Sequence, residues 1–224
     1  LEAMRPSAYV ALDISAEHLQ QATTALQTQH PRVPMLGICC DHSRLDALPD
    51  HPLVRGKRRV GFFPGSSLGN FTRDEAIELL RRFRLLLNGG PLLLGLDQPK
   101  DSSRMEAAYN DAAGISAAFA RNLLQRLNND LKADFNPADF RYEAVWQSSE
   151  SRVRMALISE SDQTVCIADE PWAFRTGQPL VTEYSVKYSP EMARKLAEDA
   201  GWNWCRRWHD PDDDLSLHWL EAAD

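Results

Sequence analysis

The sequence predicts an α/β domain built on a parallel sheet and interrupted by a segment of different character. Short apolar runs alternate with amphipathic stretches from residue 8 to residue 96. After Asp101 the pattern becomes a long amphipathic helix followed by strand-like alternation, and two further strand patterns close the chain. Strand–helix alternation marks parallel sheets, because parallel neighbours need a crossover connection that a helix supplies.

Residues 8–12 read as the first strand. Residues 15–27 follow as a helix, with Ser15 as N-cap and Leu19, Ala22 and Leu26 on one stripe. Residues 33–40 and 60–63 give the second and third strands. The third runs into the loop Pro64-Gly65-Ser66-Ser67-Leu68-Gly69-Asn70. Thr72 with Glu75 three residues on is a capping-box pattern, and Asn88-Gly89-Gly90 is a stop signal, so a helix is expected to run to about Leu87. The nearly unbroken apolar run at 92–96 suits a central parallel strand covered on both faces. Beyond Asp101, residues 115–131 predict a helix with Phe119, Leu123, Leu124 and Leu127 on its apolar side. Strands are expected at 142–146, 152–159, 163–168 and 180–188, then a helix at 190–200 ending at Gly201. Strands at 202–208 and 215–220, joined by an acidic turn, complete the same sheet as the early strands. The middle segment reads as inserted into the α/β domain.

The chain has 224 residues, of which 43% are hydrophobic and 25% charged, ordinary proportions for a soluble domain. A net charge of −7 argues against a general nucleic-acid binder. The run Pro91 to Leu96 is far too short to span a bilayer, and no basic stretch followed by an apolar leader opens the chain. No membrane or nucleic-acid partner is expected, and a cytoplasmic location is. Cys39, Cys40, Cys166 and Cys205 lack a CxxC pair and read as reduced, partly buried thiols. The six histidines show no ligand spacing with cysteine or carboxylate, so no metal is expected, and no GxSxG elbow supports a hydrolase.

Several positions could carry chemistry. Asp13 ends the first strand, and open α/β sheets bind ligands outside the carboxyl ends of their strands. Its carboxylate could accept from ribose hydroxyls or simply favour the following helix N-terminus. Asp41, after the second strand, could meet an adenine amine, although solvated acids are common in such loops. In the loop after the third strand, Gly65 and Gly69 permit positive φ and close approach of a ligand. No Lys follows them, so this is no P-loop. Asn70 offers a donor and an acceptor, which suits an amino-acid zwitterion. Tyr109 stands among small residues, open to substrate or to packing. Glu183 and Ser185 lie two apart on a strand and share a face, so they could hold an imidazole or belong to an exposed polar face. Met155, on an earlier strand, reads as core.

Together these segments resemble the histidine-specific S-adenosylmethionine-dependent methyltransferases of ergothioneine biosynthesis. The resemblance is carried by Val10-Ala11-Leu12-Asp13-Ile14-Ser15 and by the loop from Phe63 to Asn70. It continues at Ala108-Tyr109-Asn110-Asp111-Ala112-Ala113-Gly114, in the helix with Phe119, Arg121 and Asn122, and at Ala133-Asp134-Phe135-Asn136-Pro137. It extends to Thr182-Glu183-Tyr184-Ser185. It implies a Rossmann-like class I methyltransferase sheet with an inserted α+β substrate-binding domain. The methyltransferase part would be 1–101 with 189–224, and the substrate part 102–188. The cofactor would be S-adenosyl-L-methionine, its ribose on Asp13 and its adenine by Asp41 and His42. Asn70 and Tyr109 would hold the substrate's α-amino and carboxylate groups. Met155 would line the pocket, and Glu183 and Ser185 would grip the imidazole of histidine.

The implied reaction is displacement at the sulfonium methyl by the α-amine. No residue is assigned as catalytic, since alignment and a neutral amine suffice. The family's glycine-rich cofactor loop and the strand before it have no counterpart here, so the chain is expected to be N-terminally incomplete and by itself inactive. A methyltransferase for another amino acid or small amine, or a non-catalytic binding module, are the competing readings.

Overall fold

The computed structural model describes residues 1–223. The elements follow as β1 (Tyr9–Asp13), α1 (Ala16–Gln29), β2 (Met35–Cys39), β3 (Gly61–Phe63), α2 (Arg73–Leu87) and β4 (Leu92–Asp97). Then come α3 (Ser102–Tyr109), α4 (Ile115–Leu131), β5 (Phe140–Gln147), β6 (Arg152–Ser159), β7 (Gln163–Ile167), β8 (Glu170–Phe174) and β9 (Pro179–Val186). The chain closes with α5 (Pro190–Asp199), β10 (Trp202–His209) and β11 (Leu215–Ala222).

Local chemistry sets the helix ends. The Ser15 hydroxyl accepts from the His18 amide at the start of α1. At α2, Thr72 and Glu75 make both bonds of a capping box, and Asn88 stops the helix in the left-handed region. Ser189 caps α5, with Pro190 at its first position, where a missing N–H costs nothing.

One sheet has the order β10-β11-β4-β3, with β3 parallel to β4 and β11 antiparallel to it. Its core packs Leu79 and Leu80 of α2 and Leu196 of α5 against Leu92, Leu94, Leu96, Trp202 and Leu220. The Trp202 indole N–H is satisfied by the Leu80 carbonyl at 3.0 Å. The segment between β4 and α5 forms a separate antiparallel sheet, β5-β6-β9, and a hairpin, β7-β8. Its core holds Leu124 of α4, Leu157 and three phenylalanines, Phe135, Phe140 and Phe174, whose rings meet edge to face.

Three expectations need correction. The early strands do not all join one sheet: β1 and β2 pair in parallel as a sheet of their own. Among the described residues no ladder links β1 to β3, so each offers an unpaired edge. Ile14 just after β1 and Phe62 in β3 are 71% and 62% exposed. The accessible surface is 13485 Å², against about 10,000 Å² for a compact monomer of this mass. Ile14 and Phe62 are among the large apolar groups left open to solvent. Second, Phe119 is 74% exposed and Ala120 is buried in its place, while Leu124 is buried and Leu127 packs on the same cluster as expected. Third, Cys39, Cys166 and Cys205 are exposed rather than partly buried, and all four cysteines are free.

Candidate active site

A cavity of about 460 Å³ opens at the carboxyl ends of β3 and β4. Its lining includes Ser67 and Asn70 after β3, Asp97 at the end of β4, Tyr109 at the end of α3, and Ser185 and Lys187 from β9 and its extension. The position obeys the rule that open α/β sheets bind ligands beyond their carboxyl edge.

Backbone contacts hold the walls. Gly95 lies against the Pro64 carbonyl with no room for a Cβ, which brings the loop onto β4. A Cβ on Gly69 would sit 2.6 Å from the Val186 carbonyl oxygen, so the loop also rests directly on β9. The expected positive φ falls on Ser66 (φ 55) rather than on Gly65 or Gly69. Gly69 thus serves the approach of the chain to itself. Ser66 turns its hydroxyl to accept the Asp97 amide at 2.8 Å.

The segment around Tyr109 divides its work among neighbours. Asn110 bonds the backbone of Ala144 in β5 in both directions, at 2.8 and 3.1 Å. Asp111 accepts the amides of Ile115 and Ser116, both at 2.8 Å, and so caps α4. These bonds, with Ser116 first among them, hold the Asp111 carboxyl at about 2. Just ahead of these two anchors, at the end of α3, Tyr109 faces the cavity.

At the cavity floor sits Lys187, whose side chain is 2% exposed. Its Nζ donates to Asp97 Oδ2 at 2.5 Å, Tyr109 Oη at 2.6 Å and Ser185 Oγ at 2.9 Å. Tyr109 and Ser185 hydroxyls are themselves 3.0 Å apart. Lys100 takes the other Asp97 oxygen at 2.5 Å. Burial alone would raise the Asp97 carboxyl, but the two lysines outweigh it and hold it below the usual carboxylate range. Sequence reasoning passed over Asp97 and Lys187. The strand-end argument that selected Asp13 applies equally to Asp97, and the period of two that joins Glu183 to Ser185 continues to Lys187.

Glu183 and Met155 face each other in the β6–β9 register. Met155 is buried with Met105, Ala144 and Val153, and Tyr109 and Tyr142 pack on that cluster. Glu183 is half-buried, and burial pushes its carboxyl up. Its charge adds to the burial that raises the Tyr142 hydroxyl. The structure therefore brings Asn70, Tyr109 and Ser185 into one cavity and sets Glu183 with Met155 beside it on the same strands.

Asp13, Asp41 and His42 lie elsewhere, at the carboxyl ends of β1 and β2. Asp13 accepts the Ser15 amide at 2.7 Å with one oxygen, and its other oxygen is free among the described residues. Asp41 is committed to its own loop, through Ser43 at 2.6 and 3.0 Å and Arg44 at 3.3 Å. His42 stacks on Phe83 with ring centroids 6.4 Å apart.

Behind the cavity, Gln98 donates to Ser216 at 2.5 Å, and Ser216 meets His218 Nε2 at 2.7 Å. Trp204 donates to His218 Nδ1 at 2.8 Å, which leaves the ring proton on Nε2. Burial, with help from nearby Arg207, brings His218 down to about 4.

The sequence matches, over residues 1–222, the family described as histidine-specific methyltransferase, SAM-dependent. The chain belongs to that family. It is 35% identical over 224 residues to the histidine N-alpha-methyltransferase of Mycolicibacterium smegmatis, covering 97% of this chain and 68% of the relative. The corresponding figures for the histidine N-alpha-methyltransferase of Mycobacterium tuberculosis are 33% over 213 residues, 93% and 65%. The chain thus spans about two thirds of the length of these relatives. Among solved structures, an S-adenosylmethionine-dependent methyltransferase from Clostridium acetobutylicum superposes with a TM-score of 0.50 at 13% identity, over 97% of this chain and 76% of that one. That likeness speaks for the fold alone. No described helix is long and apolar enough to cross a membrane.

Proposed function

We propose that the protein containing this chain transfers methyl groups from S-adenosylmethionine to the α-amino group of histidine. The observation that carries this is the grouping of Asn70, Tyr109 and Ser185 around one cavity, with Glu183 on the same strand face. The family match and the two relatives support it. The 102–188 segment, which brings Tyr109, Ser185 and Lys187 to the cavity, acts as an inserted substrate-binding domain.

The cofactor brings a methyl already activated on sulfonium, so the protein's task is alignment. Asp13 would hold the ribose, and the ends of β2 with His42 would meet the adenine. Asn70 and Tyr109 align the α-amine and carboxylate. Glu183 accepts from the imidazole N–H while Ser185 meets the other ring nitrogen, and Met155 packs beside the ring and keeps water from those bonds. β1 and β3 each keep one unpaired edge. Polypeptide pairing with those edges would complete the cofactor pocket beside Asp13. Four unpaired thiols, three of them exposed, fit a reducing cytoplasmic setting.

The test is methylation of histidine by the full-length protein. Transfer to the α-amine, located by mass spectrometry, is expected. Methylation of the ring nitrogens instead, or none of histidine, would reject the reading.

A further inference from the structure

Lys187 is the least accessible charge in the cavity, and its bonds are fully committed. Three N–H groups meet three acceptors, Asp97, Tyr109 and Ser185. It has no proton left for a ligand and acts only through the two hydroxyls. Each hydroxyl already accepts from Lys187, and the two lie 3.0 Å apart. The bond between them can run either way; the direction in which Tyr109 donates fills both lone pairs of Ser185 and turns its proton to the cavity. The charge balance points the same way. Two ammonium groups, Lys187 and Lys100, share the single carboxylate of Asp97. The positive charge is concentrated at the Ser185 end, so a lone pair is favoured there, while the Glu183 carboxylate at the other end takes the ring's single N–H.

We propose that Lys187 is a positioning residue that fixes Ser185 as a donor, so that the pocket takes the substrate's imidazole in its neutral form. The inference rests on the histidine reading above. Glu183 accepts the single ring N–H, and the bare ring nitrogen accepts from Ser185. An imidazolium would turn a second N–H toward a group that is itself donating. The titratable groups around the ring are Asp97 of β4, Lys100 after it, Tyr109 of α3, Asp111 after α3, Tyr142 of β5, and Glu183 and Lys187 of β9 and its extension.

The experiment measures binding of histidine to the full-length protein by calorimetry from pH 7.5 to 5.5. The comparison ligand is an analogue whose 1,2,4-triazole ring stays uncharged over this range. Wild type should lose affinity for histidine roughly tenfold, following the neutral fraction of an imidazole of ordinary pKa. The triazole analogue should change much less, and any slope it keeps reports Glu183. Equal slopes for the two ligands overturn the proposal, whatever the variants do. Lys187→Met frees Ser185 to accept and should flatten the histidine slope, whereas Lys187→Arg, which keeps a donor there, should retain it. A folded Lys187→Met protein with an unchanged steep slope would also overturn the role of Lys187. Failure to bind histidine at pH 7.5 would instead reject the substrate reading itself.

Discussion

Asp97 and Lys187 are 90 residues apart in the chain and meet at 2.5 Å beneath the cavity. Lys187 is enclosed, and that carboxylate is its counter-charge. Asp97→Asn should cost about 3 kcal/mol of stability, because it leaves a buried ammonium without its counter-charge. Lys100→Met, which removes the more accessible partner of the same carboxylate, should cost about 1 kcal/mol or less. Urea denaturation of both variants checks this, and equal losses would show that the buried pair is not special.

The imidazole assignment predicts a selective loss. Glu183→Ala removes a hydrogen bond to a charged acceptor, about 1.5–3 kcal/mol. That is roughly a ten- to hundredfold drop in kcat/KM for histidine in the full-length enzyme. Tryptophan, offered as an alternative substrate, should lose much less because it never uses the carboxylate. A uniform loss on both would make Glu183 structural.

His218 predicts an acid sensitivity. Its folded value of about 4 lies below that of an exposed imidazole. The unfolded chain therefore takes up the proton first as pH falls. The stabilisation is complete above about pH 6.5 and is lost progressively toward pH 4, amounting to roughly 3 kcal/mol at most. His218→Gln should show a flatter stability profile across that interval. Parallel profiles for the two proteins would contradict the buried neutral ring.

The open edges of β1 and β3 predict weak binding of S-adenosylmethionine by the 224-residue chain alone and tight binding by the full-length protein. Calorimetry on both decides it. Amides of Val10 and Phe62 should also exchange with solvent more slowly in the longer protein. Equal affinity in both would mean that Asp13 and its neighbours suffice.

Much of this architecture is legible in the sequence because burial wrote it there. The runs at β4 and β6 are apolar where both faces are covered, and Thr72 with Glu75 announces α2 through side chains that satisfy its first amides. α3 was missed because only Met105 of its eight residues is buried, too little to show a period. β8 was missed for a similar reason, with Phe174 alone facing the core and Pro171 inside the strand. In the site, Asn70, Tyr109 and Ser185 were legible as residue types suited to a zwitterion or a ring. Lys187 was not, because a lysine on a strand reads as a solvated face, and only the fold shows it enclosed. The split between β1 and β3 could not be read from the strand patterns, which do not record which neighbours are present, although the resemblance implied that a strand before β1 has no counterpart here.

The contact of Gly69 with Val186 sets a calliper. One jaw carries Asn70 and the other Ser185, and main chain touches main chain at the hinge. The gap between the jaws is therefore fixed by main-chain packing and cannot be widened by trimming a side chain there. A substrate with a longer arm between amine and ring has to be admitted by shortening the groups on the jaws, and a Gly69→Ala change spoils the gauge for every substrate at once.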